Sequence, residues 1–153
     1  MLLKDGPSLS VVIPAYNEEA SIEAKLRNSL DIRYPRELLE IVVVSDGSTD
    51  GTEDIVARYA DQGVVLRRFE GRIGKSACLN HAMEQARGEV VVFSDANSQY
   101  DRDAVAAMVA RFSEPAIGFV TGRTQYVKTE NGKTVDAVGL YSSIERLTKR
   151  YEG

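Results

Sequence analysis

Hydrophobic positions in this chain come in short runs separated by polar blocks, and the runs are of two kinds. Val11-Val12-Ile13, Ile41-Val42-Val43-Val44 and Val90-Val91-Val92-Phe93 are continuous and mostly β-branched. Runs of that kind read as parallel strands buried on both faces. The blocks between them repeat their apolar residues at helical spacing. The pattern predicts a strand at about Ser10–Pro14, then a helix at about Glu19–Leu30 with Ile22, Leu26 and Leu30 on one face, broken by Tyr34-Pro35. A strand over Glu40–Ser45 follows, then a helix capped by Asp50 or Thr49 with Ile55, Val56 and Tyr59 inside. Val64–Phe69 is a third strand and Gly71–Gly74 a loop. The next helix carries Cys78, Leu79, Ala82, Met83 and Ala86 on one side and ends at Gly88. Glu89–Ser94 is a fourth strand, and Asp101 or Asp103 opens a helix with Val105, Met108, Val109 and Phe112 at i, i+3, i+4 and i+7. Ile117–Val127 reads as extended, Asn131-Gly132 as a turn and Lys133–Val135 as a returning strand. Leu140, Ile144, Leu147, Thr148 and Tyr151 fit one more helical face. That face is still running at Tyr151, so we expect a piece of a longer protein; a terminal helix docked on the sheet is the alternative.

Alternating strands and helices argue for βαβ units and a mostly parallel α/β sheet. In such sheets ligands bind beyond the carboxyl ends of the strands. The three buried runs end in Pro14-Ala15-Tyr16-Asn17-Glu18-Glu19, Ser45-Asp46-Gly47-Ser48-Thr49-Asp50 and Ser94-Asp95-Ala96-Asn97. These clusters therefore describe one site, with Asp46, Asp95 and Asn97 in it. Turn and cap chemistry accounts for Thr49 and Asp50. It accounts less well for Asp46, placed where a carboxylate can accept from a nucleobase imide or ribose hydroxyls. If Asp95-Ala96-Asn97 continues the strand, both oxygen-bearing side chains point the same way. Mg2+ and Mn2+ favour such oxygen ligands. An Asx turn made by Asn97 is the competing account.

Composition narrows the function. The chain has 153 residues, 43% hydrophobic and 27% charged, which suits one soluble domain. At that length a core can bury roughly 70% of the unfolded surface without disulfides. A net charge of −4 gives no reason to expect nucleic acid. The lone cysteine, Cys78, fits a reducing compartment. No apolar run approaches the ~20 residues of a membrane span, and residues 1–8 lack a signal-peptide core.

Two familiar phosphate motifs are absent. Gly74-Lys75-Ser76 resembles the end of a P-loop, but the position that should hold its first glycine is Phe69. No G-x-G-x-x-G follows the first strand. Lys75 and the helix start behind it can still meet a phosphate; an exposed first-turn lysine is the plain alternative. Arg67, Arg68, Arg72 and Lys75 form a small basic cluster beside that position, or simply a solvated edge. His81 has no partner at metal-ligand spacing and reads as a surface residue.

Ser10-Val-Val-Ile-Pro-Ala-Tyr-Asn-Glu-Glu19, Val44-Ser-Asp-Gly-Ser-Thr-Asp50, Gly74-Lys-Ser-Ala-Cys-Leu-Asn80 and Phe93-Ser-Asp-Ala-Asn97 stand in the order and spacing seen in family 2 glycosyltransferases. The chain resembles the N-terminal, nucleotide-sugar-binding portion of that family. The resemblance implies a Rossmann-like GT-A three-layer sandwich with a mostly parallel central sheet. Residues 9–115 would be the nucleotide-sugar-binding core and 116–153 the incomplete start of an acceptor-side portion. It implies an inverting, hexosyltransferase-like enzyme of polysaccharide biosynthesis, using a UDP- or GDP-linked sugar, an unidentified acceptor, and Mn2+ or Mg2+. Pro14, Ala15, Tyr16 and Glu18 would line the nucleoside pocket and Asp46 would contact the base. Arg72 and Lys75 would lie near the nucleotide, and Asp95 with Asn97 would occupy the family's D-x-D position on the metal. Localisation would be cytoplasmic, at the cytoplasmic face of a membrane if flanking sequence supplies an anchor.

The sequence departs from the family pattern in two respects. Asn97 stands where a second aspartate is usual; its carbonyl can ligate a cation but brings no charge, although some relatives share Asp-Ala-Asn. The family's catalytic base lies well downstream, and it is expected beyond Gly153, so the 153 residues alone should be inactive. The chain has no tryptophan, so the Gln-x-x-Arg-Trp segment of processive members is missing. A non-catalytic nucleotide-binding or scaffolding module is the alternative function.

Overall fold

The computed structural model describes residues 5–123 with their side chains, and the backbone of residues 125–130, 133–138 and 142–145. Strands β1 (Leu9–Ala15), β2 (Leu39–Ser45), β3 (Val64–Arg68) and β4 (Val90–Phe93) lie parallel in the order β3-β2-β1-β4. Helices α1 (Ile22–Leu30), α2 (Thr52–Ala57) and α3 (Lys75–Gln85) connect them in turn, and α4 (Ala104–Ala110) follows β4. In register, Val11 stands between Ile41 and Val92, and Val12 between Val42 and Phe93. Side chains alternate across the sheet, so each strand feeds two cores. Leu9, Val11, Ile13, Ile41, Val43 and Val92 pack with Ile22 and Leu26 of α1, Val56 of α2, and Val105 and Val109 of α4. Val12, Val42, Val44 and Val91 pack on Cys78 and Ala82 of α3 and on Ala86 just beyond it. Burial on both faces is why these strands are continuous apolar runs, and the result is the three-layer sandwich expected.

After β3 the chain returns to the far side of β1 to form β4. The strand order therefore reverses between β1 and β4, and that reversal opens a crevice at the carboxyl ends of the strands.

The later part of the chain departs from the sequence reading. Ile117–Val127 is not one extended segment: β5 (Phe119–Gly122) and β6 (Gln125–Glu130) belong to different sheets. β6 pairs antiparallel with β7 (Lys133–Val138), and Glu130 faces Lys133 in register. This matches the expected hairpin, although Asn131 and Gly132 themselves lie outside the described residues. The expected helix through Ile144 is instead strand β8 (Ser142–Glu145), antiparallel between β4 and β5. Ser142-Ser143-Ile144 has weak helix preference. The open side of β4 offers unpaired backbone groups, and Ile144 registers against Val92 and Val120. Pairing wins over the helical spacing. Leu140, Leu147, Thr148 and Tyr151 lie outside the described residues.

Gly88 also has another role than ending a helix. α3 stops at Gln85, and a side chain at Gly88 would meet the Leu9–Ser10 backbone at 2.4–2.6 Å. It is glycine because β1 passes that close.

Candidate functional site

The mouths of β1 and β2 are stitched together by backbone donors. The Asp46 amide donates to the Ala15 carbonyl at 2.9 Å. Asn17 adopts a left-handed conformation (φ 51°), which asparagine tolerates better than most residues. There its Oδ1 accepts from the Thr49 amide at 2.8 Å. The Glu18 amide donates to Thr52 Oγ1 (2.8 Å) and the Glu19 amide to Asp50 Oδ2 (3.1 Å). Asp50 Oδ1 takes the Thr52 amide at 3.0 Å, but the N-cap of α2 is Gly51, with neither Asp50 nor Thr49 in that position. Polar residues that read as a turn thus spend their side chains fixing two loops. The Glu18 carboxylate faces helix α1, accepting from Ser21 Oγ at 2.6 Å.

Asp46 is buried, 4% exposed. Its Oδ1 accepts from the Ile73 amide at 2.6 Å, and the Gly74 amide lies 3.2 and 3.1 Å from its two oxygens. The carboxylate therefore organises the 71–74 loop. Gly47 and Gly71 touch back to back: both have positive φ, and a side chain at Gly47 would stand 2.7 Å from the Gly71 backbone. Arg72 Nε lies 3.8 Å from Asp46 Oδ2, and the Arg72 guanidinium stacks over the Tyr16 ring at 3.7 Å. Burial pushes the Cys78 thiol up to about 11, with the neighbouring Asp46 carboxylate adding to the rise. That thiol is a core group, not a nucleophile.

At the mouth of β4 the expected straight continuation is a turn. The Ser98 amide donates to the Asp95 carbonyl at 3.2 Å, with Ala96 and Asn97 between them. Ala96 is buried in the core; Asp95 and Asn97 are exposed. Lys75, the first residue of α3, donates to Asp95 Oδ1 at 2.5 Å. No hydrogen bond to the Asn97 carboxamide forms among the described residues, so the Asx turn considered from sequence is not what holds it. Tyr16, Arg72, Asp46, Lys75 and Asp95 thus form a connected arc around the crevice. Pro14 and Ala15 stand at its β1 end and Asn97 at its β4 end, while the Glu18 carboxylate is engaged by Ser21. His81 is exposed, its ring against Phe69, as a surface residue should be.

Two residues of α1 beneath the β4 mouth escaped the sequence reading. Lys25 is 1% exposed. Its ammonium donates to Ser94 Oγ and, at 2.8 Å, to the Ser98 carbonyl, and lies 4.3 Å from the centre of the Tyr100 ring. Burial pulls its pKa down to about 8 against the opposing charge of Asp95. Asn28 grips the Tyr100 backbone from both sides, donating to its carbonyl and accepting from its amide, both at 2.8 Å. The available signal was a lysine and a serine inside the apolar stripe Ile22, Lys25, Leu26, Ser29. A polar side chain on the inner face of a helix needs a buried partner.

The comparisons with known proteins agree with this geometry. The model of Glycosyl transferase family 2 matches residues 10–152. The chain belongs to that family. It is 32% identical over 131 residues to the probable glycosyltransferase YdaM of Bacillus subtilis, covering 82% of this chain and 31% of that protein. The mannosyltransferase PcManGT of Pyrobaculum calidifontis, solved with GDP-Man and Mn2+, is 39% identical with a TM-score of 0.72, over 76% of this chain and 35% of that one. S. aureus TarS 1–349 in complex with UDP-GlcNAc is 31% identical with a TM-score of 0.66, over 70% and 31%. The family 2 chain thus has the GT-A fold of those neighbours, and it spans about a third of the length of the relatives it matches. No helix among the described residues is long and apolar enough to cross a membrane.

The donor set at the β4 mouth suits a shared cation. Among the described residues no three His, Cys, Asp or Glu side chains gather into a closed cage. Asp95 and Asn97, both exposed, instead carry one carboxylate and one amide oxygen. Mg2+ binds through one or two such groups when substrate phosphates and water complete its shell. These residues fit that arrangement.

Proposed function

We propose that this family 2 chain is the donor-binding part of an inverting glycosyltransferase that takes a UDP- or GDP-linked sugar. The observation that carries the proposal is the Lys75–Asp95 pair at the β4 mouth, two residues from the exposed Asn97, together with Arg72 stacked on Tyr16. Pro14, Ala15 and Tyr16 border the nucleoside, with the exposed Tyr16 ring as a surface for the base. Arg72 and Lys75 supply mobile positive charge for the diphosphate. Asp46 acts one step back, holding the loop that carries Arg72 and leads into Lys75. A divalent ion on Asp95 and Asn97 would stabilise the negative charge that collects on the diphosphate as the sugar leaves.

Residues 9–115 are the nucleotide-sugar core in this reading, and 116–153 begin the acceptor side. In an inverting displacement a base takes the acceptor's proton as its oxygen attacks the anomeric carbon. We assign no such base here, so the 153-residue chain binds donor without transferring it. A base is worth ~10²–10⁴-fold in rate. Hexosyl transfer in polysaccharide biosynthesis, at the cytoplasmic face of a membrane, is the setting we assign to a longer protein.

Calorimetry with UDP and with GDP, each with and without Mn2+, tests the reading. Binding strengthened by Mn2+, with that gain lost in Asp95→Ala, is the expected result. Binding that ignores both Mn2+ and Asp95 would leave a non-catalytic nucleotide module or scaffold.

A further inference from the structure

A fully buried lysine with no carboxylate in ion-pair contact is costly. Among the described residues the direct contacts of the Lys25 ammonium are neutral: Ser94 Oγ, the Ser98 carbonyl and the face of the Tyr100 ring, with the Asp95 charge acting on it without an ion-pair contact. All three belong to the segment that carries Asp95 and Asn97. Asn28, one turn further along the same face of α1, holds the Tyr100 amide and carbonyl at 2.8 Å each. The Tyr100 hydroxyl in turn donates to the Phe93 carbonyl at 2.9 Å, at the last residue of β4. The turn bearing Asp95 and Asn97 is therefore bracketed: Lys25 grips the residues on either side of it, and Asn28 fixes the chain where it leaves.

We propose that Lys25 and Asn28 form a latch on α1 that positions the Asp95–Asn97 turn so that both side chains reach one divalent cation. They are positioning residues, because neither is an oxygen ligand aimed at the crevice. The exposed face of the turn has little else to fix it. Among the described residues Asp95 ion-pairs with the solvent-exposed ammonium of Lys75, and the Asn97 carboxamide makes no hydrogen bond. The direction of the two ligands thus depends on the backbone, and the backbone depends on α1. This explains why α1 retains an ammonium in its buried stripe and an amide beside it. The inference rests on the reading of Asp95 and Asn97 as cation ligands.

The test compares Mn2+ affinity at saturating UDP or GDP with nucleotide affinity in the absence of metal, for the parent and for Asn28→Ala, Lys25→Met and Ser94→Ala. Asn28→Ala is the cleanest variant because it changes no charge. Outer partners that orient metal ligands are worth about 10–100-fold in metal affinity. We expect Asn28→Ala to weaken Mn2+ by about tenfold, with metal-free nucleotide binding unchanged. Lys25→Met should weaken Mn2+ as well, even though it removes a nearby positive charge that would by itself repel the ion. Ser94→Ala deletes one hydroxyl, leaves the fold intact, and should show the same split in smaller measure. Parent-like Mn2+ affinity in the folded variants would overturn the latch. So would an equal loss of metal-free binding, which marks general disturbance of the domain. A parent whose nucleotide binding ignores Mn2+ would remove the ligand reading and the latch together; a Mn2+-dependent parent matched by its variants would remove the latch alone.

Discussion

Asp46 and Asp95 hold matching positions, one at the mouth of β2 and one at the mouth of β4, yet their surroundings are opposite. Asp46 is 4% exposed and bound by two backbone amides of its own chain. The Asp95 side chain is 58% exposed and ion-pairs with Lys75, itself 62% exposed. Backbone donors cannot leave Asp46 without unmaking the 71–74 loop. Lys75 can swing away from Asp95 at almost no cost, since an exposed pair contributes only ~0–1 kcal/mol. An acid at a strand mouth can thus be part of the architecture or be open to a ligand. The kind of donor it meets decides which.

Stability measurements break the comparison most directly. Asp46→Ala leaves the Ile73 and Gly74 amides without their acceptor, and hydrogen bonds to a charged group are worth about 1.5–3 kcal/mol. Urea denaturation should show a loss of about 2–3 kcal/mol. Asp95→Ala should stay within about 0.5 kcal/mol of the parent, as surface substitutions do. A loss at Asp95 as large as that at Asp46 would erase the distinction.

The same contrast explains what could be read in advance. The parallel core was legible because both faces of β1, β2 and β4 are buried, and two-sided burial writes itself as continuous Val and Ile. The three strand mouths were legible because turn residues follow those runs directly. The outcome for Asp46 was not, because its partners are backbone amides 27 and 28 residues away that carry no side-chain signal. Lys25 and Asn28 were hidden similarly: their partners lie 69 to 73 residues on, and a lysine in a helix reads as surface by default. β8 was misread because its partners, β4 and β5, are set by topology while its spacing fits a helix.

Titration sharpens the comparison at a smaller scale, since Lys25 is shifted in the opposite sense to Cys78 and Tyr100. Lys25, behind the Asp95 turn, has its pKa lowered to about 8 from 10.5. Between those values the unfolded chain binds the proton that the folded chain has released, so stability rises with pH there. From pH 8 to 9 the gain should be about 1 kcal/mol, near the 1.4 kcal/mol limit per pH unit. Cys78, against Asp46, is raised from 9.0 to about 11, and Tyr100 from 10.0 to about 12, both mainly by burial. Those groups keep protons in the folded state that the unfolded chain has lost, so they reduce stability as pH climbs above 9. Denaturation midpoints should therefore rise from pH 7.5 to about 9 and fall beyond it. Lys25→Met should keep the fall and lose the rise. A parent with no rise would place the Lys25 ammonium in contact with solvent.

The finest test lies within the β4 mouth, between Asp95 and Asn97. Both are exposed and flank the buried Ala96, but only Asp95 carries charge. Asn97→Asp adds a negative charge at nearly constant volume, and ligand charge tunes cation affinity. Two effects oppose each other. The new carboxylate attracts the divalent ion, and it also attracts Lys75, which already sits 2.5 Å from Asp95. An exposed lysine pair is worth ~0–1 kcal/mol, whereas a direct carboxylate on a doubly charged ion gains more, so the ion should win. Mn2+ affinity at saturating nucleotide should strengthen several-fold, and metal-free nucleotide binding should weaken slightly because a like charge now faces the diphosphate. Should the Asn97 side chain stay out of the cation's shell, Mn2+ affinity would not move. Equal Mn2+ titrations of the two proteins would remove Asn97 from the site and leave Asp95 as the sole protein ligand.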